Sequence, residues 1–431
     1  MGKQFNDPEF YFDGGEFVPT LLEEDIENEN DIIYVSSIGF FIFNKYWKRV
    51  EDNEIKKLAK NKLENKAKPN YINSVTELIK VEKSISIEKI NINRNRIVLL
   101  NGTLDLFDWS NPVFYKNKFF KEDYCTIQLQ CKYNEKSKCK RFNSFLNEIF
   151  EDDIERINII QEMLGYILTP STKFEKAFLF YGTGANGKSK LLNLIDNLLT
   201  DTNVSEIGLN DLDKPFSRSA LYGKLVNKSA ELESKINDTG YFKRICSGDK
   251  IDCQFKFKDS FEFKPFSRMI FCMNNLPQFT GLDKSNGLYR RFIIMPFEVT
   301  IPEEKQDRDL DDKLKAELDG ILQFALVGLK RLGENNKFTT SRKCEDLLKQ
   351  YKVESNPLEQ FLMDYTSENL DSYVVCNKLY KIYKDYCKNN GYKELNNVHF
   401  GREILKKFPN SKKQITINSK REYIYSGIEL A

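Results

Sequence analysis

The sequence predicts an α/β protein whose central sheet is largely parallel. Two observations carry this prediction. An apolar run, a glycine-rich loop and an amphipathic helix follow one another over residues 176–199, and further strand-like and helical runs alternate over residues 225–299. No internal repeat is visible in the chain. Because strands joined by helices must cross over the sheet, this alternation is typical of parallel strand order.

The length and composition indicate several domains and no membrane span. A chain of 431 residues is typical of two to four domains, and its 40% hydrophobic content can fill real cores. No window approaches the 18 apolar residues that a membrane helix needs. The polar N-terminus predicts no secretory signal, and nine cysteines without a CxxC pair predict reduced thiols in the cytoplasm.

The charge balance and the single histidine restrict the chemistry. The net charge is only +2, from 66 basic and 64 acidic residues, so any contact with DNA must come from local patches. His399 is the only histidine, which excludes most histidine-dependent catalysis. Catalysis would therefore depend on carboxylates, lysines, arginines and a bound metal.

Residues 1–140 form the first unit of the chain. Residues 38–47 and 96–106 are predicted as strands, the second with a turn at Asn101 and Gly102. Residues 52–68 and 74–85 are predicted as helices. The polar stretch 131–141 is predicted to be a linker.

The rest of the chain is predicted in the same way. A helical run covers 142–168 and stops before Pro170, and another covers 311–332. Between them, helix 238–248 precedes a hairpin at 250–264. Strong strands follow at 267–275 and 290–299. The tail is predicted as helices followed by a hairpin at 414–430.

One motif carries specific chemistry. The loop matches GxxxxGK[ST], in which glycines let the backbone N–H groups turn toward phosphate oxygens while lysine reaches the β- and γ-phosphates. The serine hydroxyl is a ligand for Mg²⁺. Because a strand precedes the loop and a helix follows it, nucleotide binding is predicted. The residues of the motif are Gly182, Thr183, Gly184, Ala185, Asn186, Gly187, Lys188 and Ser189.

Polar residues downstream suggest partners for this loop. Glu231 and Glu233 follow a strand-like run, where a carboxylate could hold Mg²⁺ or polarise water, although both could be surface residues. Asn274 ends another strand and could orient the attacking water, or it could simply belong to the turn before Pro277.

Two consecutive arginines open the strand at 290–299. Arg290 or Arg291 could act as an arginine finger at the nucleotide of a neighbouring subunit. The alternative is a pair of surface arginines in salt bridges.

Six segments in order resemble the superfamily 3 helicases, in particular the helicase part of phage and plasmid primase–helicases related to the poxvirus type. The segments are GTGANGKS, AELE, YFKRICSGDKI, FKFKDSFEFKP, FCMNNLP and LYRRFIIMPF. The resemblance implies a P-loop AAA+ ATPase domain at 141–335. It further implies a helicase-associated α+β domain at 1–140 and a winged helix at 340–431.

The resemblance also implies residue roles. Lys188 and Ser189 would be the Walker A pair, and Glu231 and Glu233 the Walker B acids, with Ser189 and Glu231 holding Mg²⁺. The two glutamates are separated by Leu232, which leaves open which of them activates water. Asn274 would be the sensor and Arg291 the trans-acting finger, with Arg290 beside it. The DNA-tracking residues would be Lys256, Phe257 and Lys258.

The function implied is ATP-dependent unwinding of DNA by a homo-oligomeric, hexameric ring with 3′–5′ translocation, for replication of a phage, plasmid or mobile element. The expected partners are single-stranded and duplex DNA and a separate primase or initiator, since no histidine precedes residue 399 to serve a primase domain. Two alternatives remain: a P-loop ATPase that remodels proteins, and an origin-binding assembly factor without unwinding activity.

Overall fold

The structure is a computed structural model that describes residues 7–230, 235–236, 239–256, 258–279, 286–354, 356–392 and 394–431. It is a mixed α/β fold around a parallel five-stranded sheet. Among the described residues, no helix is both long and apolar enough to cross a bilayer.

The first part of the chain consists of small antiparallel sheets packed on three helices. The predicted helices at 52–68 and 74–85 are confirmed with shifted ends. The regions 38–47 and 96–106 form strands as predicted, but each contains a turn between two paired strands, and the turn in 38–47 was not predicted. The elements are β1 (Phe12–Asp13), β2 (Glu16–Phe17), α1 (Pro19–Glu29), β3 (Ile32–Val35), β4 (Gly39–Asn44), β5 (Tyr46–Val50), α2 (Asp52–Leu63), α3 (Pro69–Glu82), β6 (Arg96–Leu99), β7 (Gly102–Asp105) and β8 (Val113–Lys116).

The central part alternates strands and helices, as the sequence predicts. Its elements are α4 (Lys140–Phe150), α5 (Ile154–Ile167), β9 (Ala177–Tyr181), α6 (Lys188–Leu199), β10 (Val204–Ser205), α7 (Pro215–Arg218), β11 (Val226–Ser229), β12 (Lys235–Ile236), α8 (Gly240–Ser247), β13 (Ile251–Gln254), β14 (Ser260–Phe263), β15 (Arg268–Met273), β16 (Gln278–Phe279), α9 (Asn286–Tyr289), β17 (Phe292–Pro296), α10 (Leu310–Ala316) and α11 (Leu318–Asn335).

The parallel sheet has the strand order β10-β11-β15-β9-β17, and every neighbouring pair is parallel. All six residues of β15 are buried, because helices cover both faces of the sheet. β9 therefore lies between β15 and β17, and the carboxyl ends of these strands meet at one edge.

Two predicted helices are each interrupted, which corrects the sequence prediction. The run 142–168 breaks between α4 and α5, where Glu151 and Asp152 adopt positive φ angles of 52° and 56°. Asp153 then caps α5 by accepting from the N–H of Arg156 at 3.1 Å. The run 311–332 breaks at Glu317, which lies between α10 and α11.

Glu317 caps another helix. Its two carboxylate oxygens accept from the backbone N–H groups of Arg141 and Phe142, each at 3.0 Å, in the first turn of α4. A carboxylate at a helix N-terminus satisfies free N–H groups and complements the helix dipole. The break in the predicted helix thus joins two elements that lie far apart in sequence.

The stretch 131–141, predicted as a linker, is irregular but packed. Cys131 and Cys139 are buried, and the N–H of Lys132 donates to Asp319 at 2.7 Å. One apolar core contains Ile97 and Leu104 of the first part together with residues of α5 and α11. The core therefore continues across residue 140.

The tail has its own apolar core, apart from its first helix. Its elements are α12 (Arg342–Glu354), α13 (Pro357–Tyr365), β18 (Thr366–Val375), α14 (Cys376–Asn389), α15 (Asn397–Lys407), β19 (Lys412–Ile417) and β20 (Lys420–Leu430), with an antiparallel sheet of order β18-β20-β19. The hairpin predicted at 414–430 is confirmed, whereas β18 was not predicted. α12 packs on the central part, where Cys344 and Tyr351 are buried in its cores.

Candidate nucleotide-binding site

The loop 182–187 connects the buried strand β9 to α6 at the carboxyl edge of the sheet. Gly184, Ala185 and Gly187 have φ angles of +121°, +47° and +87°. A chain that alternates through left-handed positions forms a concave nest of backbone N–H groups, which binds anions. The first turn of α6 adds its own unpaired N–H groups beside the nest.

Close packing explains two of the glycines. A Cβ atom on Gly187 would lie 2.8 Å from Cγ2 of Ile149, and one on Gly182 would overlap the carbonyl oxygen of Phe297. Asn186 is buried and donates from its side chain to the same carbonyl at 3.2 Å. The loop is thus held from behind by α4 and by the chain that follows β17.

Lys188 is the charged group inside the loop. Its side chain is buried, and its ammonium donates to the carbonyl oxygen of Gly182 and to Oδ1 of Asn186, the latter at 3.2 Å. Burial lowers the pKa of Lys188 below its ordinary value. Since these two acceptors are neutral, a phosphate would be a better partner for the charge.

Ser189 is exposed in the first turn of α6 and lines the same cavity as Lys188. A hydroxyl oxygen in this position suits Mg²⁺, which prefers hard oxygen ligands and shares its coordination with nucleotide phosphates. The Ser189 hydroxyl therefore fits the predicted Mg²⁺.

Asn274 reaches this cavity from the neighbouring strand. β15 pairs directly with β9, with Met273 opposite Tyr181, and the N–H of Gly182 donates to the carbonyl oxygen of Met273 at 3.1 Å. Asn274 follows at the end of β15, is exposed and lines the cavity. The structure thus brings Asn274 and the loop together.

Three of the predicted site residues, Glu231, Glu233 and Phe257, lie outside the described residues. β11 ends at Ser229, and Ala230 lines the cavity. Ala230, the residue directly before Glu231 in sequence, therefore lies at the wall of the cavity.

Part of the cavity wall was missed by sequence reasoning. The cavity has a volume of about 880 Å³ and includes side chains from α4 and from residues 301–310. Arg141 is 3.0 Å from Glu148 and 3.5 Å from Asp307, and the N–H of Ile301 donates to Ala185 at 2.8 Å. No local motif marks these residues, because they converge only when the fold forms.

Arg290 and Arg291 lie at the opposite, amino edge of the sheet. Ala177, the first residue of β9, pairs with Phe292 and donates its N–H to the carbonyl oxygen of Arg291 at 2.7 Å. Phe297, which contacts the loop, follows Arg291 by six positions along β17, so the backbone separation is about 20 Å. Neither arginine is therefore close to the loop of its own chain.

The two arginines have different surroundings. Arg291 is buried, donates to Ser247 Oγ at 2.6 Å and lies 3.0 Å from Glu175 Oε2. Arg290 leaves 62% of its side chain exposed, although it also contacts Glu175. Of the pair, Arg290 is the more accessible to another molecule.

The hairpin predicted at 250–264 is confirmed as β13 paired with β14. Its end is docked on the first part of the chain. Lys258 Nζ donates to the carbonyl oxygen of Ser36 at 3.0 Å, and the guanidinium of Arg49 lies 5.4 Å from the ring centre of Phe255. Lys256 is exposed at the same end.

Comparison with protein families gives three partial matches. The family described as D5 N terminal like matches residues 22–151, and a family of unknown function, DUF5906, matches residues 180–291. The RFX DNA-binding domain family matches residues 356–431.

Two viral proteins are similar in sequence. A protein of Acanthamoeba polyphaga mimivirus named "Putative helicase" is 26% identical over 283 residues, which cover 58% of this chain and 28% of that protein. A protein of Invertebrate iridescent virus 6 with the same designation is 25% identical over 257 residues, which cover 54% of this chain and 25% of that protein. The chain therefore spans about a quarter of the length of these relatives.

Solved structures show a shared fold. Two apo structures of the NrS-1 C-terminal region have TM-scores of 0.54 and 0.53 at 13% identity, and each alignment covers 95% of this chain and 99% of that region. The solved structures thus share the fold of this chain, while the D5 N terminal like family and the two viral proteins named as helicases are similar to parts of its sequence.

Proposed function

We propose that the protein is an ATP-dependent DNA helicase that acts in the replication of a phage, plasmid or mobile element. The observation that carries this proposal is the geometry at the carboxyl edge of the sheet. There Lys188, Ser189 and Asn274 line one cavity, and the loop between β9 and α6 presents a concave backbone to it. The viral relatives named as helicases support the same activity.

In this proposal the cavity binds ATP with Mg²⁺. The backbone of residues 182–187 and the ammonium of Lys188 hold the β- and γ-phosphates, while Ser189 and Glu231 hold Mg²⁺, which neutralises phosphate charge. Asn274 positions the attacking water, and one of Glu231 and Glu233 accepts its proton. The sheet order supports this division of roles, because β15 places Asn274 beside the loop.

We further propose that the active enzyme is a ring, with hexameric symmetry and 3′–5′ translocation as the superfamily 3 resemblance implies. Arg290 and Arg291 lie about 20 Å from the loop of their own chain, measured along β17. They can serve a nucleotide only in a head-to-tail neighbour. Such heterologous contacts close into a ring when the rotation between subunits allows it.

The tail is proposed to be a winged helix that binds duplex DNA. Its order of helix, strand, two helices and a two-stranded hairpin supports this assignment, as does the match to the RFX DNA-binding domain. Basic side chains are exposed on α15 and on the hairpin, where they could meet phosphates. They include Lys406, Lys407, Lys412, Lys413, Lys420 and Arg421.

The similarity of the tail to the RFX DNA-binding domain family also favours a second candidate function. An origin-binding assembly factor would use this tail for its main activity and ATP only for assembly. Both candidates predict duplex binding, so binding alone does not separate them.

Strand displacement tests the proposal directly. Purified full chain is incubated with ATP, Mg²⁺ and forked DNA that carries a labelled strand, and matched substrates with only a 3′ or a 5′ tail report polarity. We expect ATP-dependent displacement that requires the 3′ tail. ATP hydrolysis and duplex binding without displacement on any substrate would instead support the assembly factor.

A further inference from the structure

A surface on the first part of the chain combines exposed lysines with aromatic rings. It is formed by the segment from β8 to residue 120 and by the β4–β5 hairpin. We call it the basic–aromatic patch, and its members are Lys45, Lys48, Tyr115, Lys116, Lys118, Phe119 and Phe120.

Direct contacts join the two segments of the patch. Lys45 Nζ lies 5.6 Å from the ring centre of Phe119 across the two segments. Lys118 Nζ lies 4.6 Å from the ring centre of Phe120 and 5.7 Å from that of Tyr115. The guanidinium of Arg96 also lies 4.0 Å from the ring centre of Phe120 and 5.6 Å from that of Tyr115, and all three rings are partly exposed.

The positive charge of the patch is not neutralised locally. Lys45, Lys48, Lys116 and Lys118 are exposed and form no ion pair within the part of the chain that the structure describes. Nearby Arg96 differs, because Asp105 and Asp123 pair with it at 3.0 and 2.8 Å. Four cations thus remain available to an external anion.

The patch is also held in one shape. Thr103 Oγ1 donates to the carbonyl oxygen of Lys118 at 2.7 Å, and the N–H of Asn117 donates to that of Asn101 at 2.9 Å. On the other side, Nε1 of Trp47 donates to the carbonyl oxygen of Lys121 at 2.8 Å. A preorganised surface loses little entropy when it binds a partner.

β5 connects the patch to the end of the β13–β14 hairpin. Lys45 precedes the strand, Lys48 lies within it, and Arg49 contacts Phe255 of the hairpin. The distance along the chain from Lys45 to Arg49 is about 13 Å. Arg49 therefore lies against the β13–β14 hairpin and Lys45 lies against Phe119 of the patch, near the two ends of β5.

We propose that the basic–aromatic patch binds single-stranded DNA and extends the track that begins at the hairpin. The inference rests on the proposed function for its biological meaning. Single-strand binding without sequence preference uses cations for the phosphates and aromatic rings for the bases. The patch has exposed lysines for the phosphates and partly exposed rings, Phe119 among them, for the bases. Base edges are exposed in a single strand, so rings set among lysines fit it better than they fit a duplex.

Oligo(dT) binding without nucleotide tests the patch, with fluorescence anisotropy measured over a series of salt concentrations. The test variant is Lys116→Ala with Lys118→Ala in the full chain. Each lost phosphate contact should lower the slope of log affinity against log salt by about 0.7, or about 1.4 for both. At about 0.1 M salt this corresponds to roughly 10- to 30-fold weaker binding.

The matched control is Lys60→Ala with Lys136→Ala, which removes two exposed lysines that are not members of the patch. We expect the control to bind like the parent chain. Lys116→Arg with Lys118→Arg should retain the slope, since it keeps both charges. Equal thermal unfolding temperatures will show that all variants fold.

A second readout locates the strand. An oligonucleotide with photoreactive 5-iodouracil should crosslink to Tyr115, Phe119 or Phe120. The inference is overturned if the Lys116 and Lys118 variant matches the control in affinity and slope. It is equally overturned if the variant loses binding only to a labelled polyglutamate peptide, which would indicate an acidic protein partner.

The outcome is separable from that of the proposed function. The binding measurement uses no ATP, so it can succeed even if the chain displaces no strand. Conversely, strand displacement by the parent chain together with unchanged binding by the patch variant would leave the helicase proposal standing and remove the patch from it.

Discussion

Arg290 and Arg291 share one carboxylate oxygen: Oε2 of Glu175 lies 2.7 Å from the guanidinium of Arg290 and 3.0 Å from that of Arg291. Two cations on a single carboxylate leave net positive charge at the amino edge of the sheet. Arg291 is enclosed there, while Arg290 extends outward. The phosphates of a nucleotide bound to a neighbouring subunit would be attracted to this edge, and Arg290 is the first group that they would meet.

The arginines should act in trans. We expect Arg290→Ala and Arg291→Ala each to lose ATP hydrolysis, because removal of an arginine finger costs about 10³-fold or more. Mixing either variant with Lys188→Ala subunits should restore part of the activity, since some interfaces then combine an intact loop with an intact arginine. ATPase rates are measured over a range of mixing ratios.

The variants of the two arginines should differ in thermal stability. Arg291→Ala removes a buried guanidinium together with its contacts to Ser247 and Glu175, so it should lower the thermal unfolding temperature, whereas Arg290→Ala should not. For the mixing experiment above, the absence of recovered ATP hydrolysis in mixed rings that are shown to form would contradict an intersubunit site.

Lys188→Ala should abolish ATP hydrolysis and retain the fold. The side chain supplies the ammonium inside the loop, and the loss of one preorganised charge or donor typically costs 10²- to 10³-fold in rate. Turnover is measured by phosphate release, and folding by circular dichroism. Lys136→Ala, far from the loop in sequence and exposed, is the control. If Lys188→Ala hydrolyses ATP at the rate of the parent chain, this loop is not part of the catalytic site.

The β13–β14 hairpin should contribute to the binding of single-stranded DNA. Lys256→Ala with Lys258→Ala should weaken oligo(dT) binding and reduce the salt slope by about 1.4. It should also stop displacement of forked DNA. Because Lys258 donates to Ser36, the variant Lys258→Arg is tested in parallel to keep the charge at that contact. Unwinding by the double variant at the parental rate would exclude the hairpin as the tracking element.

Duplex binding should depend on the tail. A cut near residue 335 would remove α12, whose Tyr351 hydroxyl donates to the carbonyl oxygen of Pro277 at 2.5 Å. The informative truncation therefore ends at residue 354, after α12. We expect it to keep ATP hydrolysis and to lose most affinity for duplex DNA in gel-shift assays. Equal affinity of the truncated and full chains would exclude the tail as the duplex-binding part.

Local sequence signals predicted much of the fold. The strand, loop and helix around Lys188 were predictable because the motif requires them as immediate neighbours. Strand β18 was missed because its first half, TSENLD, is polar and has low strand propensity. Only pairing with β20 makes it a strand.

Long-range contacts account for the other differences. Glu317 resembles any glutamate inside a predicted helix, and its role as a cap for α4 depends on a residue 176 positions away. The wall formed by Arg141 and Asp307 likewise has no local pattern. Asn274 was placed correctly at a strand end, but its closeness to the loop follows from strand order, which a single sequence does not specify.

The continuous core across residue 140 has a consequence for evolution and engineering. Ile97, Leu104 and Leu129 pack in the same core as helices α5 and α11. A gene fusion or an exchange of domains that joined foreign sequence at residue 140 would expose this apolar surface to water and favour aggregation. Recombination between relatives should therefore be tolerated after residue 354, and the stretch from Ile97 to residue 354 should be inherited as one piece.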